Sequence, residues 1–305
     1  MNCQPGLSRS VRLLSRPVLL VLRIAAIATL AFRIADAAAA DLPDRVTFMS
    51  ADGRTTLVGY VFKPEARHAS RMPAVVMLHG RAGPYSSTAN GSYDASTLSK
   101  RHQQWGQIWA QQGYLAILVD GFGPRGYPQG FPRFSYETRP EELNEVTVRP
   151  LDAYGALAYL RTRDDVIGDR IALQGWSNGG SATLAAMADN APGIVSPTPA
   201  TGFRAGLAFY PACGLKGKFA DGIKSYAPIR MLHGSADEEV STRGCADLVA
   251  RSRAAGGDVQ QQIYPGATHD FDDPNRSHWD NPANAAAARD AIPRAIAFFA
   301  GVLKP

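Results

Sequence analysis

The stretch that most restricts how this chain can fold is Arg170-Ile-Ala-Leu-Gln-Gly-Trp-Ser-Asn-Gly-Gly-Ser-Ala-Thr183. Ile171 to Leu173 reads as a short buried strand, and Ser181 to Ala188, rich in small and apolar residues, reads as a helix. Between them Gly175-Trp176-Ser177-Asn178-Gly179 forms a G-x-S-x-G pattern in a strand-turn-helix setting. A serine at the apex of so tight a turn needs strained backbone angles and neighbours without bulk, and the flanking glycines supply the latter. Such a turn lifts the Ser177 hydroxyl clear of the sheet. It also leaves the Asn178 amide at a helix N-terminus, where a hydrogen bond and the helix dipole both favour an oxyanion. The pattern alone equally fits a glycine turn with a capping serine, so its chemistry depends on partners elsewhere in the chain.

The first forty residues differ from the rest. Arg9, Arg12 and Arg16 form a basic segment, Ile24 to Phe32 an apolar one bracketed by Arg23 and Arg33, and Ala35 to Ala40 a small-residue stretch. That order predicts a secretory signal peptide over 1–40, with an uncleaved anchor as the alternative, and an apolar run too short to span a membrane. Cleavage after Ala40 leaves one domain of 265 residues, 41–305, enough for a sizeable core. The leader holds five arginines and one aspartate, so the net charge of +5 falls to +1 on its removal. No basic footprint for nucleic acid remains. Export, to the periplasm or beyond, permits disulfides, and the two cysteines outside the leader, Cys213 and Cys245, read as one, with two buried free thiols as the alternative.

Val46 to Met49 and Leu57 to Phe62 flank the turn Ala51-Asp-Gly-Arg54 and read as a hairpin. Pro73 to Gly80, Tyr114 to Val119, Ile171 to Leu173, Gly206 to Tyr210, Ile229 to Leu232 and Val259 to Tyr264 read as further strands. Helical patterns run over Thr97 to Gln112, Glu141 to Arg163, Ser177 to Asn190, Thr242 to Ala255 and Ala283 to Leu303. The alternation predicts an α/β architecture: a mostly parallel central sheet of about eight strands with helices on both faces. Trp105 and Trp109, four apart on a helix, read as core. Glycine- and proline-rich loops follow two strand ends, at 81–96 and 121–134, where such sheets place ligands. In and near the second, Phe122, Tyr127 and Phe131, with Trp176 beside the serine, are the expected pocket wall.

Ser177 needs a base, and six histidines are available. His68, His102 and His278 lie in polar surroundings, while His79 and His233 each end a strand as Leu-His-Gly, a position suited to a structural role. His269 follows the last strand, on a loop able to carry its imidazole over the sheet edge. Asp237, just past the preceding strand, is the carboxylate placed to orient that imidazole, with Glu238 and Glu239 as close rivals. The chain order Ser177, Asp237, His269 is nucleophile, acid, base. A second oxyanion donor is expected after the third strand in His79-Gly-Arg-Ala-Gly83, the Arg81 amide first and the Ala82 amide second. The Arg81 side chain reads equally as a holder of a substrate carboxylate and as a solvent-facing charge.

Leu78-His-Gly80, Asp120-Gly-Phe-Gly-Pro-Arg-Gly126, Gly175-Trp-Ser-Asn-Gly-Gly180, Tyr210-Pro-Ala-Cys213 and Tyr264-Pro-Gly-Ala-Thr-His-Asp-Phe-Asp272 together resemble the dienelactone hydrolase family of α/β-hydrolases. The resemblance runs from about Val46 to the C-terminus. It implies a hydrolase of ester or lactone bonds with its triad on Ser177, Asp237 and His269, and its exported members share a cysteine pair like Cys213 and Cys245. The family's founding enzyme carries a cysteine where this chain has Ser177, and a serine needs a base to remove a proton of much higher pKa.

The expected function is therefore an exported serine esterase working through an acyl-enzyme on a small ester or lactone. No metal or organic cofactor enters this scheme, and no nucleic-acid partner or lasting membrane span is expected. A peptidase or amidase on the same scaffold and a non-catalytic binding protein are the alternatives.

Overall fold

Eight strands pair into one sheet in the order β1-β2-β4-β3-β5-β6-β7-β8 in the computed structural model, which describes residues 42–65 and 71–304. They are β1 (Asp44–Met49), β2 (Thr56–Phe62), β3 (Met72–Leu78), β4 (Leu115–Asp120), β5 (Val166–Trp176), β6 (Gly206–Phe209), β7 (Ile229–Gly234) and β8 (Val259–Tyr264). β1 and β2 form the expected hairpin and join β4 antiparallel, and every pairing from β4 to β8 is parallel. The expected signal peptide and His68 lie outside the described residues. No described helix is long and apolar enough to cross a membrane.

The continuous apolar character of β3 and β4 follows from burial on both faces. Ala74, Val76 and Leu78 of β3 pack with Leu115, Ile117 and Val119 of β4 into one core, while Val75 and Met77 pack with Ala116 and Leu118 into the other. This is the two-residue period of a strand read twice. The first core is closed by α2 (Arg149–Arg161), α3 (Asn178–Ala186) and α4 (Thr242–Ala254). The second is closed by α1 (Lys100–Gln111) and α6 (Pro282–Leu303), which follows the short α5 (Arg276–Trp279). Trp105 and Trp109 lie buried in this second layer, and each large side chain so buried contributes roughly 2–3 kcal/mol of transfer free energy. α3 is buried along its whole length, which its small side chains allow.

Three boundaries differ most from the sequence expectation. The helix expected from Glu141 begins at Arg149, because Asn144 turns the chain first: its Oδ1 accepts from the N–H groups of Val146 and Thr147, and Pro150 then sets the first helical turn. β5 starts at Val166 rather than Ile171, its early part hidden in the polar Gly168-Asp-Arg170. α3 stops at Ala186, and the chain then bridges from Ala188 to Ser225.

Candidate active site

Ser177 sits between β5 and α3 with φ 51° and ψ −113°, a backbone conformation costly for any residue but glycine. The flanking glycines permit it by their lack of a side chain. A Cβ on Gly175 would lie 2.1 Å from the Gly179 carbonyl oxygen, and a Cβ on Gly179 would lie 2.1 Å from that of Leu78. The serine N–H donates to the Phe209 carbonyl at 2.9 Å, tying the bend to β6.

Ser177, His269 and Asp237 meet above the carboxyl ends of the strands. His269 Nε2 lies 3.0 Å from Ser177 Oγ, and its Nδ1 lies 2.8 Å from Asp237 Oδ2. The other carboxylate oxygen, Oδ1, accepts from the N–H groups of Glu239 and Val240, both at 2.9 Å. Burial by itself would raise the Asp237 pKa, but the imidazoles of His233 and His269 and these N–H groups hold it well below the ordinary carboxylate value. For His269 burial opposes the charged ring, yet the bond to Asp237 and the charges of Asp270, Asp237 and Glu239 outweigh it and leave the pKa raised. The ring also packs against Tyr210, with centroids 4.6 Å apart.

The two rival carboxylates have other partners. Glu238 accepts from the His269 main-chain N–H at 3.1 Å. Glu239 pairs with Arg81 and Arg133, and its Oε2 stays 3.9 Å from His269 Nε2. The Arg81 side chain is thus neither free for a substrate carboxylate nor turned to solvent. Glu239, His269 and Asp270 each bring a possible metal-ligating atom within 4.8 Å of the others. Each of these groups already has a partner, Arg81, Asp237 with Ser177, and Arg101 respectively.

The loop after β3 passes close to the serine: a Cβ on Gly80 would be 3.5 Å from Ser177 Cβ. The main-chain N–H groups of Asn178, Arg81 and Ala82 donate to no group among the described residues, so each stays open to an oxyanion. Beneath them lies a buried cluster that no local sequence pattern announces. Arg149, fully buried, donates from Nη1 to the His79 carbonyl at 2.7 Å and to Asn178 Oδ1 at 2.6 Å, and Asn178 Nδ2 donates to Glu145 at 3.1 Å. Burial pulls the Arg149 pKa down to about 10. Its only trace in the sequence is a charged residue at the head of an apolar helix. His79 is structural, its Nδ1 2.7 Å from the Gly80 carbonyl and its Nε2 accepting from the Gly121 N–H, and burial keeps it neutral. His102 is also buried, its pKa held down to about 3.

Two cavities flank Ser177. One of about 400 Å³ is bordered by His269, Lys100, Arg101 and residues 80–83 and 85–88. The other, about 450 Å³, is bordered by Asn178, Phe134, Tyr136, Arg139, Cys213 and Val240. None of the four expected wall residues lines either one. Phe122 and Trp176 are fully buried, Phe122 under the ring of His79 and the guanidinium of Arg149, Trp176 with its Nε1 donating to Asp272 at 2.8 Å. Tyr127 and Phe131 pack on each other, and the Phe131 main chain bonds to Arg81 at both its N–H and its carbonyl. The same glycine-rich loop does reach a cavity, but through its end, at Phe134 and the following Tyr136. Cys213 and Cys245 form a disulfide that joins the loop after β6 to α4 beside this second cavity.

The model of the dienelactone hydrolase family matches residues 57–303, nearly the whole of the described chain. The chain belongs to the dienelactone hydrolase family. Among solved structures, the apo form of Thermogutta terrifontis esterase 2 is 19% identical and covers 87% of this chain and 97% of its own, with a TM-score of 0.57. A dienelactone hydrolase-like promiscuous phosphotriesterase from metagenomic libraries is 18% identical over 85% of this chain and 97% of its own, with a TM-score of 0.61. Dipeptidyl peptidase 8 from Homo sapiens is 25% identical over 248 residues, 74% of this chain. That match spans only 26% of the peptidase's length.

Proposed function

We propose that this chain is an exported serine hydrolase that cleaves carboxylic esters through an acyl-enzyme. The observation that carries the reading is the continuous relay from Ser177 Oγ through His269 to Asp237, with contacts of 3.0 and 2.8 Å. His269 takes the hydroxyl proton as Ser177 attacks the acyl carbon, and Asp237 stabilises the imidazolium that results. The N–H groups of Asn178 and Arg81 hold the oxyanion, with the α3 dipole behind the first. The imidazolium then gives its proton to the departing alcohol oxygen. A water deprotonated by His269 releases the acid and restores the serine. The disulfide supports export, because cytoplasmic thiols are kept reduced.

Ser177→Ala tests the assignment. Its kcat on a short activated ester should fall by about 10⁴-fold or more, and an organophosphonate should add to the unaltered protein once, on Ser177. Near-normal turnover by Ser177→Ala, or labelling elsewhere, would overturn it. An ester and its matched amide assayed side by side separate esterase from peptidase, and a faster amide would replace this reading with the second.

A further inference from the structure

The two cavities beside Ser177 differ in what they can accept, and their positions assign them to opposite halves of an ester. His269 borders only the cavity of about 400 Å³, while Asn178 and Ser181 border only that of about 450 Å³. In the reading proposed above, His269 delivers a proton to the departing oxygen, so the alcohol half must lie on the His269 side. The acyl half then lies on the Asn178 side.

The alcohol cavity is walled by polar groups. Ser87, Lys100 and Asn275 are exposed there, and their side chains bond to nothing among the described residues. Arg101 is engaged by Asp270 and Asp273, and Arg81, which also borders the cavity, by Glu239, so with Lys100 three cations are matched by three carboxylates and no net charge is left over. A long alkyl alcohol would strip water from Ser87, Lys100 and Asn275 and return no hydrogen bonds. An anionic alcohol would meet Asp270 and Asp273 as well as Lys100. A neutral group bearing several hydroxyls replaces the lost water bonds one by one. The acyl cavity is the more apolar of the two: Arg81, Arg139, Glu145 and Glu239 border it, but Phe134, Tyr136, Val240 and the disulfide at Cys213 supply apolar surface close to the serine.

We propose that the substrates are esters of a neutral polyhydroxylated alcohol of sugar type, seated among Ser87, Lys100 and Asn275, with a compact apolar acyl group against Tyr136, Val240 and Cys213. On hydrolysis the acyl carbon–oxygen bond breaks, the sugar oxygen leaves with the proton from His269, and water supplies the oxygen of the released acid.

The test uses three esters of one acid with the purified protein: methyl benzoate, octyl benzoate and glucose 6-benzoate, each rate divided by that ester's hydroxide-catalysed rate. The normalised kcat/KM should be at least tenfold higher for the glucose ester than for the octyl ester. Ser87→Leu and Asn275→Leu should each cut the glucose-to-methyl ratio at least fivefold, a quantity that a general loss of folded protein does not move. Ser177-dependent turnover that favours the octyl ester, or does not discriminate, overturns the sugar proposal and leaves the hydrolase reading standing. Absence of Ser177-dependent turnover of all three overturns both.

Discussion

The Arg81 guanidinium grips the Glu239 carboxylate with two hydrogen bonds, Nε to Oε2 at 2.8 Å and Nη2 to Oε1 at 2.7 Å, across a sequence separation of 158. This pair joins the loop after β3, with its open main-chain N–H, to the loop after β7, which carries Asp237. Glu239→Gln removes the charge and one prong of the pair, and Arg81→Lys removes the fork geometry. Both variants should lose roughly 10- to 100-fold in kcat, the scale set by small displacements of reacting groups, with a smaller change in KM. Steady-state kinetics on a short-chain ester checks this, and a Glu239→Gln variant with unaltered kcat would contradict it.

The pH profile follows from His269. The ring must be neutral to accept the serine proton, and its pKa lies above the ordinary 6.5. The acid limb of kcat/KM should therefore be centred above 6.5. Glu239→Gln should move that limb to lower pH, because it removes a negative charge 3.9 Å from Nε2. The same raised pKa stabilises the fold. That contribution is complete below the unfolded value of 6.5 and is lost as pH rises through the folded one, which denaturant titrations at several pH values will register. Asp237→Asn should cost about 10⁴-fold in kcat by removing the group that orients and charges the ring.

Removing the disulfide should act chiefly on stability. Cys213 and Cys245 close a loop with a sequence separation of 32, for which chain entropy gives about 3–4 kcal/mol. The Cys213→Ala/Cys245→Ala double variant should melt roughly 5–10 °C lower. A thermal melt measures it, and an unchanged melting point refutes it.

Glycine substitutions should divide sharply by position. Gly179→Ala places a methyl 2.1 Å from the Leu78 carbonyl oxygen in a fully buried turn, and should cost more than about 4 kcal/mol or yield no folded protein. Gly301→Ala, in α6 with nothing within 4 Å of the added carbon, should stabilise by about 0.5–1 kcal/mol. Denaturant midpoints compare the two.

What could be read from the chain alone divides along a physical line. Ser177, Asp237 and His269 were legible because each follows a strand whose apolar pattern is plain, so chain order fixed the end of the sheet at which they stand. The pair of Arg81 with Glu239 and the cluster of Arg149, Asn178 and Glu145 were not, since contacts between distant loops leave no local pattern. The aromatics show the same limit. Phe122 and Trp176 stand in or beside a loop that suggested a pocket wall, but composition does not say which side of a loop faces inward, and both rings point into the core. Glu141 to Val148 carried a helical pattern that Asn144 and Pro150 overrode with a turn.

The bend at Ser177 has a last consequence. Its unfavourable torsion is enforced by packing against the carbonyls of Leu78 and Gly179, contacts completed when the sheet and α3 come together. The Ser177 hydroxyl is therefore set in position during folding rather than at each encounter with a ligand. Selection for a more robust chain and selection for a hydroxyl held in this place pull on the same few backbone atoms, and relaxing that junction would trade one for the other.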